Sequence, residues 1–193
     1  ELLGASAFEA DGDDDDDDDD GQQYIDLLCS GGSLPDHKRG CIAEINFVIK
    51  AGHGLDRPDT GDKDYSLLVW AARNGMVSSV RKLLEFGANA AFSGPKSGRT
   101  ALECASFGGH AAIVAALLAE GAPVDHQNAD GETALLAGAE GGSLEVVKML
   151  VSQKADVGLS NEEGICPLFM ACYEGHVKIV EYLLANGASI GQT

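Results

Sequence analysis

A chain of 193 residues has room for one ordinary domain or a short repeat array, and 45% hydrophobic against 6% aromatic residues means a core of Leu, Val, Ile and Ala. Residues 1–21 hold 11 acids and no base, leaving 13 bases against 20 acids elsewhere, so the net charge of −18 falls to −7 for the remainder. That balance excludes nucleic acid and an anionic membrane as partners and favours a basic protein surface. Ala111 to Ala119, the longest wholly apolar run, is far short of a membrane span. Five cysteines (Cys29, Cys41, Cys104, Cys166, Cys172) without a CxxC pair read as reduced structural residues, which suits a cytoplasmic or nuclear compartment. The chain begins at Glu1 with no basic leader, so no signal peptide is expected and a fragment or processed chain is.

Residues 1–10 read as a disordered leader, although Leu2-Leu3-Gly4-Ala5-Ser6 echoes Leu183-Leu184 and Gly187-Ala188-Ser189 near the other end. Asp13 to Asp20 is an unbroken aspartate run that repels itself and has nothing to bury, so residues 1–21 are expected to form an acidic disordered segment. Asp16, Asp18, Asp20 and Gly21 match the early positions of a calcium-binding EF-hand loop, but Leu27 stands where its last ligand, Glu, is required. Residues 22–60 form a worn helix pair: Tyr24 to Leu28, then Ile42, Ile45, Val48 and Ile49 on one face of a second helix. Between them the loop Ser33 to Gly40 carries the basic cluster His37, Lys38 and Arg39, a solvated loop or a contact loop.

From Gly61 onward a period is plain. Gly75, Gly109, Gly142 and Gly175 are spaced 34, 33 and 33 residues apart, and Leu68, Leu102, Leu135 and Leu168 keep the same spacing, as do Ala88, Ala122, Ala155 and Ala188. A fixed period of this size means a solenoid. Units are expected at 61–94, 95–127, 128–160 and 161–193, each a turn, a short helix, a tight connection and a longer helix. In the last unit Pro167 opens the first helix, where its missing N–H costs little. Val177, Val180, Leu183 and Leu184 then line one face of the second.

These units resemble ankyrin repeats. The family's Thr-Pro-Leu-His opening is matched by Ser66-Leu67-Leu68-Val69, Thr100-Ala101-Leu102-Glu103, Thr133-Ala134-Leu135-Leu136 and Cys166-Pro167-Leu168-Phe169. Its Gly-His is matched by Gly109-His110 and Gly175-His176, and in altered form by Gly75-Met76 and Gly142-Ser143. Its Leu-Leu-x-x-Gly-Ala ending recurs at Leu83–Ala88, Leu117–Ala122 and Leu183–Ala188. The resemblance is firm over residues 61–193 and loose over 22–60. It implies an all-α solenoid of stacked helix-turn-helix repeats with projecting β-turns or hairpins, and a concave surface that binds other proteins. The departures are specific. No copy keeps the opening His, so the inter-repeat hydrogen bonds it usually makes are expected to be lost. Lys154 stands where Gly belongs, in a left-handed conformation costing about 1 kcal/mol. The Asn that often follows the Gly-Ala ending is absent, so no modification is carried over there.

Register places the turn residues Tyr65, Lys96, Arg99, Asp130, Glu132, Glu162 and Glu163 outward on the concave side, with Arg73, Asn74, Phe107, Glu140, Tyr173 and Glu174 at the ends of the first helices. Ordinary surface or inter-repeat packing is the simpler reading for each of them. Phe107 and Tyr173 would anchor a partner, whereas Trp70 sits further inside and reads as core. Charge runs from basic Lys96 and Arg99 to the acids of the last two units, which suits a partner with a basic segment.

No catalytic constellation is visible. His110 and His176 share a repeat position and read as structural, and His37, His53 and His126 fall in loops. Gly94 to Thr100 has a phosphate-loop look, but three residues separate its glycines instead of four and Arg99 replaces the required Lys. No cofactor and no metal site is expected. The expected function is a noncatalytic, monomeric scaffold for protein–protein interaction. The alternative is the targeting or regulatory module of a larger enzyme, of kinase or ubiquitin-ligase type, with its catalytic part outside this chain. A third reading is an acidic cation- or histone-binding protein driven by the aspartate run. The apolar second helix of the last unit is expected either to dock on a further repeat or to leave a sticky end.

Overall fold

The computed structural model describes residues 55–56 and 65–189. The acidic segment, the aspartate run, the His37–Arg39 cluster and nearly all of the worn unit at 22–60 lie outside them. Eight helices are present among the described residues, alternating seven and nine residues in length: α1 Leu67–Arg73, α2 Val77–Glu85, α3 Ala101–Phe107, α4 Ala111–Ala119, α5 Ala134–Glu140, α6 Leu144–Ser152, α7 Pro167–Tyr173 and α8 Val177–Ala185.

Each helix begins and ends for a local reason. Ser66, Thr100 and Thr133 cap α1, α3 and α5 by accepting from the backbone N–H three residues on, at 3.4, 3.2 and 3.2 Å. A cap of this kind is worth about 1 kcal/mol. Cys166 gives α7 no such bond, and Pro167 at the first turn removes one of the orphan donors instead. Short helices end in a left-handed glycine: Gly75 at φ 69° lets Met76 N–H reach Ala71 O at 2.9 Å, and Gly109 and Gly175 do the same work. Lys154 takes that conformation without being glycine, at φ 71°, and Ala155 N–H still reaches Leu150 O at 3.1 Å.

The helices stack in two layers. Each of α1, α3, α5 and α7 packs against the next in the series and against the second helix of its own repeat, while α2, α4, α6 and α8 form the other layer. Ala71, Ala72, Ala105, Ser106, Gly138, Ala139 and Ala171 keep the first layer thin. A methyl group on Gly138 would already press on Val146 at 3.3 Å. Val80, Leu83, Ile113, Val114, Leu117, Val146, Val147, Leu150, Ile179 and Leu183 fill the space between layers and are fully buried. Burying a side chain of this size is worth roughly 1.5–3 kcal/mol, and no single repeat buries it alone.

The turns between repeats project from the edge of the first layer. Among the described residues they contain no strand, only an isolated antiparallel bridge between Ser93 and Thr100. Trp70 is core, as expected, with Tyr65 against it edge-on at 5.6 Å between centroids. Tyr65 corrects the register reading. It is 4% exposed and not outward, because it precedes the α1 cap and its ring is trapped against Trp70 while its hydroxyl accepts from Arg73 Nη1 at 3.2 Å.

Candidate partner-binding edge

The projecting turns and the ends of the first helices make one continuous edge. Neighbouring turns are sewn together by backbone bonds: Ala129 N–H donates to Ser97 O and Glu162 N–H to Asp130 O, each at 3.0 Å. Asn128 and Asn161, 33 residues apart, shape the tips. Each side-chain oxygen accepts two backbone N–H groups, from Asp130 and Glu132 and from Glu163 and Ile165, at 2.8 to 3.1 Å. An Asn ahead of a turn glycine was the available signal for this role.

This scaffold sets where the candidate residues lie. Asp130, Glu162 and Glu163 are exposed at the tips. Arg73, Asn74 and Glu174 are exposed at the helix ends, with Phe107 54% and Tyr173 77% exposed. Asn74 also serves its own helix, donating to Trp70 O at 2.8 Å. Arg99, Glu132 and Glu140 are half-buried between repeats. Burial pushes the Glu140 carboxyl up, and the neighbouring carboxylates Glu132 and Glu174 push it further.

Glu103 is the residue that sequence reasoning missed. It stands where the family has its opening His, and it is 3% exposed. Its carboxylate lies 3.3 Å from Arg99 Nη1 and accepts from Asn128 Nδ2 of the next repeat at 3.0 Å. The expectation that inter-repeat hydrogen bonding is lost at this position is therefore wrong for this copy: a carboxylate–amide bond replaces the imidazole one. Burial drives the Glu103 carboxyl up to about 7, against the opposing pull of Arg99 and Asn128. Arg99 is shared, its Nη2 lying 3.2 Å from Glu132, so the basic end of the expected charge gradient is largely neutralised from within.

The histidines are part of the frame. His110 and His176 place Nε2 at 3.4 and 3.1 Å from the carbonyls of Arg73 and Glu140 in the preceding repeats, and His126 reaches Gly98 O at 2.9 Å. Among the described residues no group of three or more His, Cys, Asp or Glu is placed to hold a metal, and no helix is long and apolar enough to cross a membrane. On the second layer an open depression of about 420 Å³ is lined by Leu144, Lys148, Lys178, Glu181 and Tyr182, away from the candidate residues.

The family profile for ankyrin repeats in three copies matches residues 38–128 and again 109–193. The chain belongs to the ankyrin repeat family. Ankyrin repeats generally mediate protein–protein interaction, and the all-α repeat solenoid is the fold this membership entails. The first match begins at residue 38, inside the worn unit read at 22–60. The palmitoyltransferase Hip14 of Drosophila melanogaster is 33% identical over 92 residues, 48% of this chain and 14% of that protein. The ankyrin repeat and SAM domain-containing protein 6 of Danio rerio is 29% identical over 105 residues, 54% of this chain and 14% of that protein. In both, the likeness extends over a seventh of a much longer relative.

Proposed function

We propose that this ankyrin array is a noncatalytic scaffold that holds a protein partner along its turn-and-first-helix edge, and that the partner presents a basic segment. The observation that carries this reading is the coincidence on one edge of two solvent-facing aromatics, Phe107 and Tyr173, with the exposed acids Asp130, Glu162, Glu163 and Glu174. Exposed aromatic side chains give anchoring area, and the acids give steering and charge complementarity. The free cysteines Cys104, Cys166 and Cys172 support a reducing compartment, cytoplasmic or nuclear. The array acts as a monomer in this reading.

The test is partner capture with the intact chain, repeated with Asp130, Glu162 and Glu163 changed together to Lys and, separately, with Phe107→Ala and Tyr173→Ala. Both sets should weaken capture, and unchanged capture in both would sink the reading. Deleting residues 11–20 separates it from one in which the aspartate run does the binding, since an edge-bound partner survives that deletion. A second reading is favoured by the relatives: the matched region is a small part of two long proteins, one of them a palmitoyltransferase. The array would then serve as the targeting module of a larger enzyme, and the full-length reading frame decides between the two.

A further inference from the structure

The joint between repeats 95–127 and 128–160 is one positive charge short. Glu103 and Glu132 both lean on a single guanidinium, Arg99, at 3.3 and 3.2 Å. They also share a single amide, Asn128 Nδ2, at 3.0 Å each. The other titratable groups around the cluster are Tyr65 and Cys104 near Arg99, and Glu140 near Glu132 and Arg99. Arg73 lies beyond them and is engaged on the Tyr65 hydroxyl. At the repeat position of Glu103 the neighbouring copies bury Val69 and Leu136, so the site is built for an uncharged side chain. Keeping two partly buried carboxylates ionised against one cation is unfavourable. Balance comes either from a proton or from a second cation. The two carboxylates differ in access: the side chain of Glu103 is 4% exposed and that of Glu132 25%.

We propose that this joint is a proton-linked switch, in which Glu103 keeps a proton in the free array and a cationic side chain of the partner, seated against Glu132, displaces it. This rests on the reading of the edge as a docking surface for a basic segment. The elevated Glu103 carboxyl puts the exchange near neutral pH. Free of its proton, Glu103 holds Arg99 inward and leaves Glu132 to the incoming cation. Protonated, it releases Arg99 to Glu132, and the groove loses its counter-charge. Proton and basic segment therefore compete. Affinity for a basic segment rises about fivefold from pH 6 to pH 8 if the bound cation lowers the Glu103 midpoint by one unit.

The experiment is a carboxyl carbon NMR titration of the full chain, glutamates labelled, with octalysine as the basic probe. Without probe, Glu103 should titrate near pH 7, and a midpoint in the ordinary carboxylate range would overturn the proposal. At pH 7, octalysine should shift the Glu132, Glu140 and Glu174 resonances and drive Glu103 to its ionised form. Shifts at those three without a change at Glu103 would refute the switch while leaving the basic-segment reading intact. Shifts confined to the aspartates of residues 13–20 would refute both. Glu103→Gln should abolish the pH dependence of the probe's effect on Glu132. If that variant fails to fold, the wild-type titration still decides.

Discussion

Gly141 lies so close to the carbonyl oxygen of Phe107 that no side-chain carbon fits between them. The contact ties the C-terminal end of α5 to the end of α3, and so sets how closely the two repeats approach. Gly141 has φ −68°, an ordinary helical value, so its requirement for glycine is purely one of space. Gly141→Ala should destabilise the array by roughly 2–3 kcal/mol through forced separation of the repeats. Gly121→Ala is the control: φ there is +79° with nothing near the added carbon, so the cost is limited to about 1 kcal/mol of backbone strain. Urea unfolding of the two variants measures both.

Stability should fall as pH rises through Glu103. Its folded-state value, about 7, lies above the ordinary carboxylate value of 4.5. A group raised on folding contributes its full stabilisation below the unfolded value and loses it as pH climbs through the folded one. The wild-type unfolding free energy should therefore drop by on the order of 2 kcal/mol between pH 4.5 and 7 from this group. Glu103→Gln should flatten that slope and be the more stable protein at pH 8. Denaturant midpoints for both proteins, measured across pH 4.5 to 8, test the claim.

Lys154 is strained where its counterparts Gly87, Gly121 and Gly187 are not. Lys154→Gly should stabilise the chain by about 0.5–1 kcal/mol, the relief of left-handed strain less the added freedom of the unfolded glycine. A higher urea midpoint with unchanged slope is the expected outcome.

Leu136 and Phe169 occupy the same repeat position, yet Leu136 is 1% exposed and Phe169 55%. The next repeat covers the first, and no described residue covers the second. Leu136→Ala should cost roughly 2–5 kcal/mol. Phe169→Ala, losing chiefly its stacking on Tyr173 at 6.5 Å, should cost well under half of that. Fusing an ankyrin repeat with a polar outer face after residue 193 should raise the unfolding midpoint, because it would cover Phe169 and its exposed neighbours Val177 and Leu184.

Much of this was legible beforehand because it is local. The period in Gly75, Gly109, Gly142 and Gly175 reports a helix end that needs positive φ, and the Ser or Thr ahead of each of the first three short helices reports a cap. Lys154 was read as left-handed from register alone, since the chain geometry at that position is decided within one turn. Phe107 and Tyr173 were placed on the exposed edge by the same register. The acidic tips followed from counting.

What the sequence by itself determined about this protein is the repeat, its helices and the edge they present, because each unit's backbone hydrogen bonds close within a few residues. Only the tertiary structure decided what each side chain meets across a joint. Tyr65 reads as a turn residue and is trapped against Trp70. Glu103 reads as a surface charge at a lost histidine and instead bonds Asn128, 25 residues on. Gly141 reads as one more flexible glycine and turns out to be a spacer for Phe107. The physical reason is the same in all three: burial and charge balance at a joint are properties of two surfaces in contact, and a repeat's own sequence specifies one of them.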